Sequence, residues 1–300
     1  MKQNKFVRST RLLLAGCLFA LAMQLHAQLP VGSHYPVGAE GIKGASLPPP
    51  GVYLRDYNFF YTASKVDGLP VDVDIFAYVQ APRLIWMTDW QILGANYGMD
   101  IIVPFAYKNI SAPFGSGDKF SLADIQIEPV LLSWHLKQFD VAAGYAIWAP
   151  SGDFNASTPL KTLTSPGSGF WTHMLTLGGV WYPDAEKTWA ISLLNRYEIN
   201  HEQQQTHITP GNMFTLEWGL SKTVCKGVDV GVIGYYQQLV TKDCGAGASG
   251  NLSHVVGVGP EISTFCAKLG LFTSLRYIYE ADAKDRPQGH TITLTLTKRF

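Results

Sequence analysis

The sequence predicts an all-β protein: a transmembrane antiparallel barrel of about twelve strands, closed by a last strand that ends on Phe300. Three observations predict it. Segments of period 2 recur along the chain, short connections alternate with long ones, and an export leader stands at the N-terminus.

The leader comes first. Lys2, Lys5, Arg8 and Arg11 precede an apolar stretch over 12–25, and Leu25-His26-Ala27 offers a small residue for cleavage after Ala27. A charged start, a short apolar run and a small residue at the cut make a secretory signal peptide over 1–27. Leu14-Ala15-Gly16-Cys17 also spells a lipidation box, but Arg11 leaves too short an apolar stretch ahead of Cys17, so the ordinary signal is the expected reading.

Composition narrows the mature chain. The 23 basic and 23 acidic residues cancel, so nucleic acid is not an expected partner. Charged residues are only 15% and aromatics 12%, alongside 29 glycines. No apolar run after the leader approaches the roughly 20 residues of a membrane helix. A chain of this kind in a membrane must cross as closed β-structure, which alone satisfies its backbone there without helices.

The strands follow from alternation. Val228, Val230 and Val232 alternate with Asp229, Gly231 and Ile233; Ile292, Leu294 and Leu296 alternate with Thr291, Thr293, Thr295 and Thr297. Read this way, strands fall at 51–63, 71–82, 97–109, 119–136, 139–150, 170–182, 187–201, 212–224, 227–241, 253–265, 267–281 and 290–300. Each is close to the roughly 9–11 residues that a tilted strand needs to cross a bilayer. Counted from the periplasm, the even connections should be short, and those at 137–138, 183–186, 225–226 and 265–267 are. The odd ones, including 110–118, 151–169 and 282–289, read as longer Gly/Pro/Ser/Asn-rich loops. The stretch 83–96 breaks the rule, being long where a turn is due; it either extends its neighbouring strands or packs Trp86 and Trp90 at the membrane edge. Trp134, Trp148, Trp171, Trp181, Trp189, Tyr182 and Tyr279 lie near strand ends, as interfacial girdles do.

Residues 28–50 are rich in Gly and end in Pro48-Pro49-Pro50; they are expected either to plug the lumen or to lie along the periplasmic rim, with the barrel over 51–300. Inside the barrel, charges should point away from lipid, since a base near the midplane costs roughly 2–4 kcal/mol. The expected lumen lining is Asp72, Asp74, Phe76, Tyr78, Asp100, Lys108, Asp124, Glu128, Asp140, Arg196, Glu217, Asp229, Tyr235, Glu261, Arg276, Glu280 and Arg299. It is read either as ion pairs that stiffen a narrow barrel or as a selectivity lining with an acidic bias. Phe76, Tyr78, Trp148, Ile233, Tyr235 and Phe272 would give the path an aromatic surface.

Nothing in the chain reads as catalytic. There is no GxSxG, HExxH or phosphate loop, and Ser253 and His254 point to opposite faces of one strand. His201, Glu202 and His207 form a loop cluster read as solvated rather than metal-binding, and no cofactor is expected. Of the mature cysteines Cys225, Cys244 and Cys266, the first and last fall in predicted periplasmic turns and are the pair that could bridge in an oxidising compartment.

The box Ala45-Ser46-Leu47-Pro48-Pro49-Pro50-Gly51, followed by the aromatic strand of Tyr53, Tyr57, Phe59 and Tyr61, resembles the N-terminal signature of the MetA-pathway phenol-degradation family of Gram-negative outer-membrane proteins. The stretches at 92–98, 124–129 and 169–172 are similar as well. The resemblance implies an outer-membrane channel for small aromatic or hydrophobic solutes; the rival is a non-transporting barrel working through its external loops. A terminal aromatic such as Phe300 resembles the signal read by the barrel-assembly machinery. The other expected partner is outer-membrane lipid.

Overall fold

The computed structural model describes residues 33–69, 71–113 and 115–300. The leader, Cys17 and residues 28–32 lie outside the described residues. Alternating side chains build twelve strands, two of them interrupted. They are β1 (Gly51–Val66), β2 (Asp74–Ile92), β3 in two halves (Ala95–Ile102, Phe105–Ala112) and β4 in two halves (Gly115–Leu122, Ile125–His135). The rest are β5 (Phe139–Ala149), β6 (Thr172–Trp181), β7 (Trp189–Asn200), β8 (Met213–Cys225), β9 (Val228–Leu239), β10 (His254–Cys266), β11 (Leu271–Lys284) and β12 (Pro287–Arg299). Each pairs antiparallel with its chain neighbours, and β1 pairs both with β2 and with β12, so the sheet closes.

The interruptions have causes. Pro104 cannot donate to the ladder, and β3 bends between Ile102 and Phe105. Ala123 and Asp124 interrupt β4 beside it, with the Ala123 amide bonded to the Pro104 carbonyl. Above this point the first half of β4 pairs only with β3, leaving an edge. The connection after β5 covers that edge. Its Asp153 amide bonds to the Leu122 carbonyl, Lys119 pairs with Asp153 at 2.6 Å, and its short helix α1 (Pro159–Thr164) lays Leu160 against Gly117.

The long stretch 83–96 turns out to be strand. β2 runs on to Ile92 and turns through Leu93 and Gly94, both at positive φ, into β3. The connections expected at 110–118 and 282–289 are likewise mostly strand: strand runs to Ala112 and resumes at Gly115, and only 285–286 separate β11 from β12. Outward positions are apolar and exposed: Leu84, Ile127, Leu175, Leu177, Leu193, Ile262, Leu275 and Ile292. Trp171, Trp181, Trp189 and Tyr279 are outward and exposed as a girdle requires, whereas Trp148 and Tyr182, expected there too, are buried inside.

The core is the barrel interior, and residues 33–50 are part of it. Tyr35 and Ala39 pack with Tyr57, Phe59, Trp148 and Met174; Ile42 with Ile233, Tyr235 and Ile278; Ala45 with Val180, Tyr182 and Leu194. Glycine makes the room. A Cβ on Gly219 would stand 2.8 Å from the Ile42 Cα.

Candidate functional site in the barrel interior

The inward faces carry charges, and residues 33–50 complete them. Glu40 is the centre. Its carboxylate takes Arg55 and Arg83 at 3.1 Å each and the Tyr57 hydroxyl at 3.0 Å, with Arg196 at 3.7 Å. Burial alone would push this carboxyl up, but Arg55, Arg83, Arg196 and Arg276 outweigh it and hold the group at about 2. Arg83 also pairs with Asp100 (2.5 Å) and Glu128 (3.0 Å), and Arg196 with Glu217 (3.1 Å). Arg276 donates to the Gly38 and Ala39 carbonyls and to Thr295.

Other carboxylates hold the backbone of the same segment. Glu198 accepts the His34 and Tyr35 amides at 2.8 and 3.1 Å, Glu217 the Gly38 amide at 2.7 Å, and Glu261 the Ile42 amide at 2.9 Å. Asp140 takes Ser46 and Tyr182, and Asp229 pairs with Lys43 at 2.7 Å. His34 sits between Asp124 and Thr172, at 2.9 Å from each, with its ring against Trp148 and Phe170. Asp124 accepts the Gly152 and Ser168 amides as well, so one carboxylate joins the segment to the connection that covers the β4 edge.

Beside this network lies a cavity of about 430 Å³. Tyr57, Phe59, Tyr61, Ala77, Val79, Ala81, Ile102, Ala106, Trp148 and Met174 wall it. One end meets Glu40, Arg83, Glu128 and Arg196; the other has Lys108, Arg286, Glu280 and Gln237. The register separates the two ends. Arg55, Arg83 and Ile102 form one row across β1–β3, and Tyr61, Ala77 and Lys108 form another, nearer the end with the long loops. Pro104, Ala123 and Asp124, at the strand interruptions, also line the cavity.

Asp100, Asp124, Glu128, Asp140, Arg196, Glu217, Tyr235, Glu261, Arg276 and Glu280 are therefore brought together inside, all buried; Asp229 is half-buried inside and Lys108 lines the cavity. Five expected lining residues are elsewhere. Asp72 precedes β2 and Asp74 starts it, both exposed, while Phe76 and Tyr78 point outward. The buried row of β2 is Ala81, Arg83, Ile85 and Met87, and a strand's period of 2 puts Phe76 and Tyr78 on the other face. Arg299 is exposed at the end of β12, donating to the Pro50 carbonyl. Nor do Cys225 and Cys266 bridge: both are free and exposed. They end β8 and β10 with β9 between, about 10 Å across the sheet and beyond disulfide reach. In the loop cluster, exposed His207 lies 2.7 Å from Glu202 and the His201 ring abuts His173.

Sequence reasoning missed Arg55, Arg83, Glu198, Glu40 and Arg286. Glu198 follows Arg196 by two on one strand, and Arg83 shares the parity of Ile85 and Met87; both signals were readable. It also missed an exception to inward charge. Asp56 and Asn58 face outward on β1, opposite Leu296 and Leu294 of β12. Asn58 and Gln80 donate to Asp56 Oδ2, Tyr78 donates to Asn58, and Asp56 Oδ1 has no hydrogen-bond partner among the described residues.

A family model described as "Putative MetA-pathway of phenol degradation" matches residues 60–296. No curated protein matches the chain in sequence. Among solved structures, the COG4313 outer membrane channel from Pseudomonas putida F1 superposes with a TM-score of 0.74 at 13% identity, covering 89% of this chain and 100% of that one. The β-domain of the Bordetella autotransporter BrkA superposes at 0.55 with 11% identity, covering 84% of this chain and 100% of that one.

Proposed function

The chain belongs to the MetA-pathway phenol-degradation family, and from that premise we propose that it is a channel-type barrel of the Gram-negative outer membrane, passing small solutes of apolar or aromatic character, with residues 33–50 as an internal plug. The observation that carries this reading is the cavity of about 430 Å³ within the barrel, walled by Tyr57, Phe59, Tyr61, Trp148 and Met174. A barrel serving only as a scaffold gains nothing from an aromatic cavity. A neighbour of the same fold is named a channel, which supports the reading. Export through the leader 1–27 and recognition of Phe300 by the assembly machinery complete the proposal.

The acidic side chains do not make a free acidic lining. Glu128, Glu198, Glu217, Glu261 and Glu280 are each engaged by arginines, hydroxyls or backbone amides. Selectivity in this reading rests on the apolar wall and on the cations Lys108 and Arg286.

The test is planar-bilayer conductance of the refolded mature chain, repeated after deletion of 28–50, with uptake of a small aromatic alcohol into proteoliposomes alongside. Silence before deletion and conductance after it is the result expected of a seated plug. Silence in both, from a folded barrel that admits no aromatic solute, would move the reading to a closed barrel whose external loops do the work.

A further inference from the structure

Among the charged groups that line the cavity, Lys108 and Arg286 are treated differently from the rest. Arg83 and Arg196 are bound by carboxylates, but neither Lys108 nor Arg286 has a carboxylate within 4.0 Å among the described residues. Among the described residues Lys108 has one hydrogen-bond partner, the Ser165 carbonyl at 2.6 Å. Among the same residues Arg286 has one, the Gln237 side-chain oxygen at 2.6 Å. A guanidinium has five donors and an ammonium three, so both retain unused capacity toward the cavity they line.

The acids that face them are committed elsewhere. Asp124, which faces Lys108, accepts from His34, Gly152 and Ser168. Glu280, which faces Arg286, accepts from Tyr61, Tyr235 and the Gly289 amide. A half-buried cation whose direct partner is one neutral oxygen favours an anion beside it. Both cations stand at the long-loop end, whereas the wall between them and the Glu40 network is apolar: Phe59, Ala77, Val79, Ala81 and Ala106.

We infer that the cavity binds an amphipathic anion, an apolar or aromatic body carrying one carboxylate, with the carboxylate drawn to the long-loop end where Lys108 and Arg286 stand and the body against the wall of β1–β3. This rests on the reading of the interior as a solute path and narrows its substrate class. A solute entering from the long-loop end meets the cations first; its carboxylate stays there while the ring passes to the apolar wall. A neutral aromatic alcohol fits the wall but leaves the cations unanswered, and an amine opposes them.

The experiment is equilibrium binding of 4-phenylbutyrate, 4-phenylbutyramide and 4-phenylbutylamine to the folded full-length barrel in an uncharged detergent. The acid is expected to bind about tenfold tighter than the amide, and the amine weakest. The double variant Lys108→Gln/Arg286→Gln is expected to erase the gap between acid and amide, chiefly by weakening the acid. Equal binding of acid and amide to the wild-type chain overturns the inference and leaves the channel reading standing. So does an acid preference that survives in the folded double variant. Binding of none of the three overturns it as well, and conductance of the same sample then decides whether the channel reading falls with it.

Discussion

Replacing Glu40 by Gln removes the one carboxylate that residues 33–50 place among Arg55, Arg83 and Arg196. Its carboxyl is held at about 2 instead of 4.5, and at about 1.4 kcal/mol per pH unit the charged form is favoured in place by about 3 kcal/mol. Arg83 and Arg196 keep Asp100, Glu128 and Glu217, but Arg55 is left with Thr297 and Tyr57. The segment keeps its other anchors: the amides of His34, Gly38 and Ile42 on carboxylates, and Arg276 on two carbonyls. Glu40→Gln therefore weakens the seat without emptying it, and about 3 kcal/mol raises the unseated fraction about a hundredfold. The assay is single-channel recording, where the variant should flicker open between the silence of the intact chain and the steady conductance of the 28–50 deletion. The pH sign follows from a carboxyl whose seated value is depressed. The stabilisation is complete above about 4.5 and is lost as pH falls toward 2, so the intact chain should begin to open in that window. If Glu40→Gln stays as silent as the intact chain at neutral pH while the deletion conducts, Glu40 is not the anchor and the reasoning fails.

Arg83→Met leaves Asp100 and Glu128 buried and uncompensated; a loss of about 3–5 kcal/mol is expected in urea unfolding from vesicles, against little change for Ala at exposed Arg299. Asp56→Leu replaces a lipid-facing carboxylate and should raise the unfolding free energy by up to about 2 kcal/mol, read as a higher urea midpoint; a lower midpoint would mean that the bonds from Asn58 and Gln80 outweigh exposure to hydrocarbon. The Phe300 side chain is exposed and its backbone amide bonds to the Val52 carbonyl, so Phe300→Ser should lower the amount of barrel assembled in cells while refolding in detergent is unchanged. Maleimide labelling of Cys225 and Cys266 should be equal with and without reductant.

Strand alternation was legible because lipid and lumen impose opposite polarity on neighbouring residues, and all twelve strands were located from it. The face assignment failed on β2 for a definite reason. Asp72 and Asp74 were read as inward charges, and their parity drew Phe76 and Tyr78 in with them. Those aspartates lie before or at the start of the strand, where water rather than lipid surrounds them and a charge imposes no parity. Arg83, deep in the same strand, was the charge to follow. Asp56 shows the converse limit, since cross-strand bonds let a carboxylate sit where the inward rule forbids it. The ionic centre itself was beyond local patterns. Glu40 meets Arg83 and Arg196 from strands far along the chain, and nothing in the spacing of the Gly-rich segment marks its acid as their partner.

The seating of residues 33–50 also bears on biogenesis. This stretch is synthesised ahead of every strand, yet its partners are scattered from Arg55 on β1 to Arg276 on β11. A sheet that zipped β12 onto β1 around an empty interior would trap Arg55, Arg83 and Arg196 together without the acid between them. Circularisation and the docking of the oldest residues are thus thermodynamically coupled, each favouring the other. The stretch acts as a mandrel on which the cylinder is wound, and its removal should be felt first as slow or incomplete closure of the β1–β12 seam.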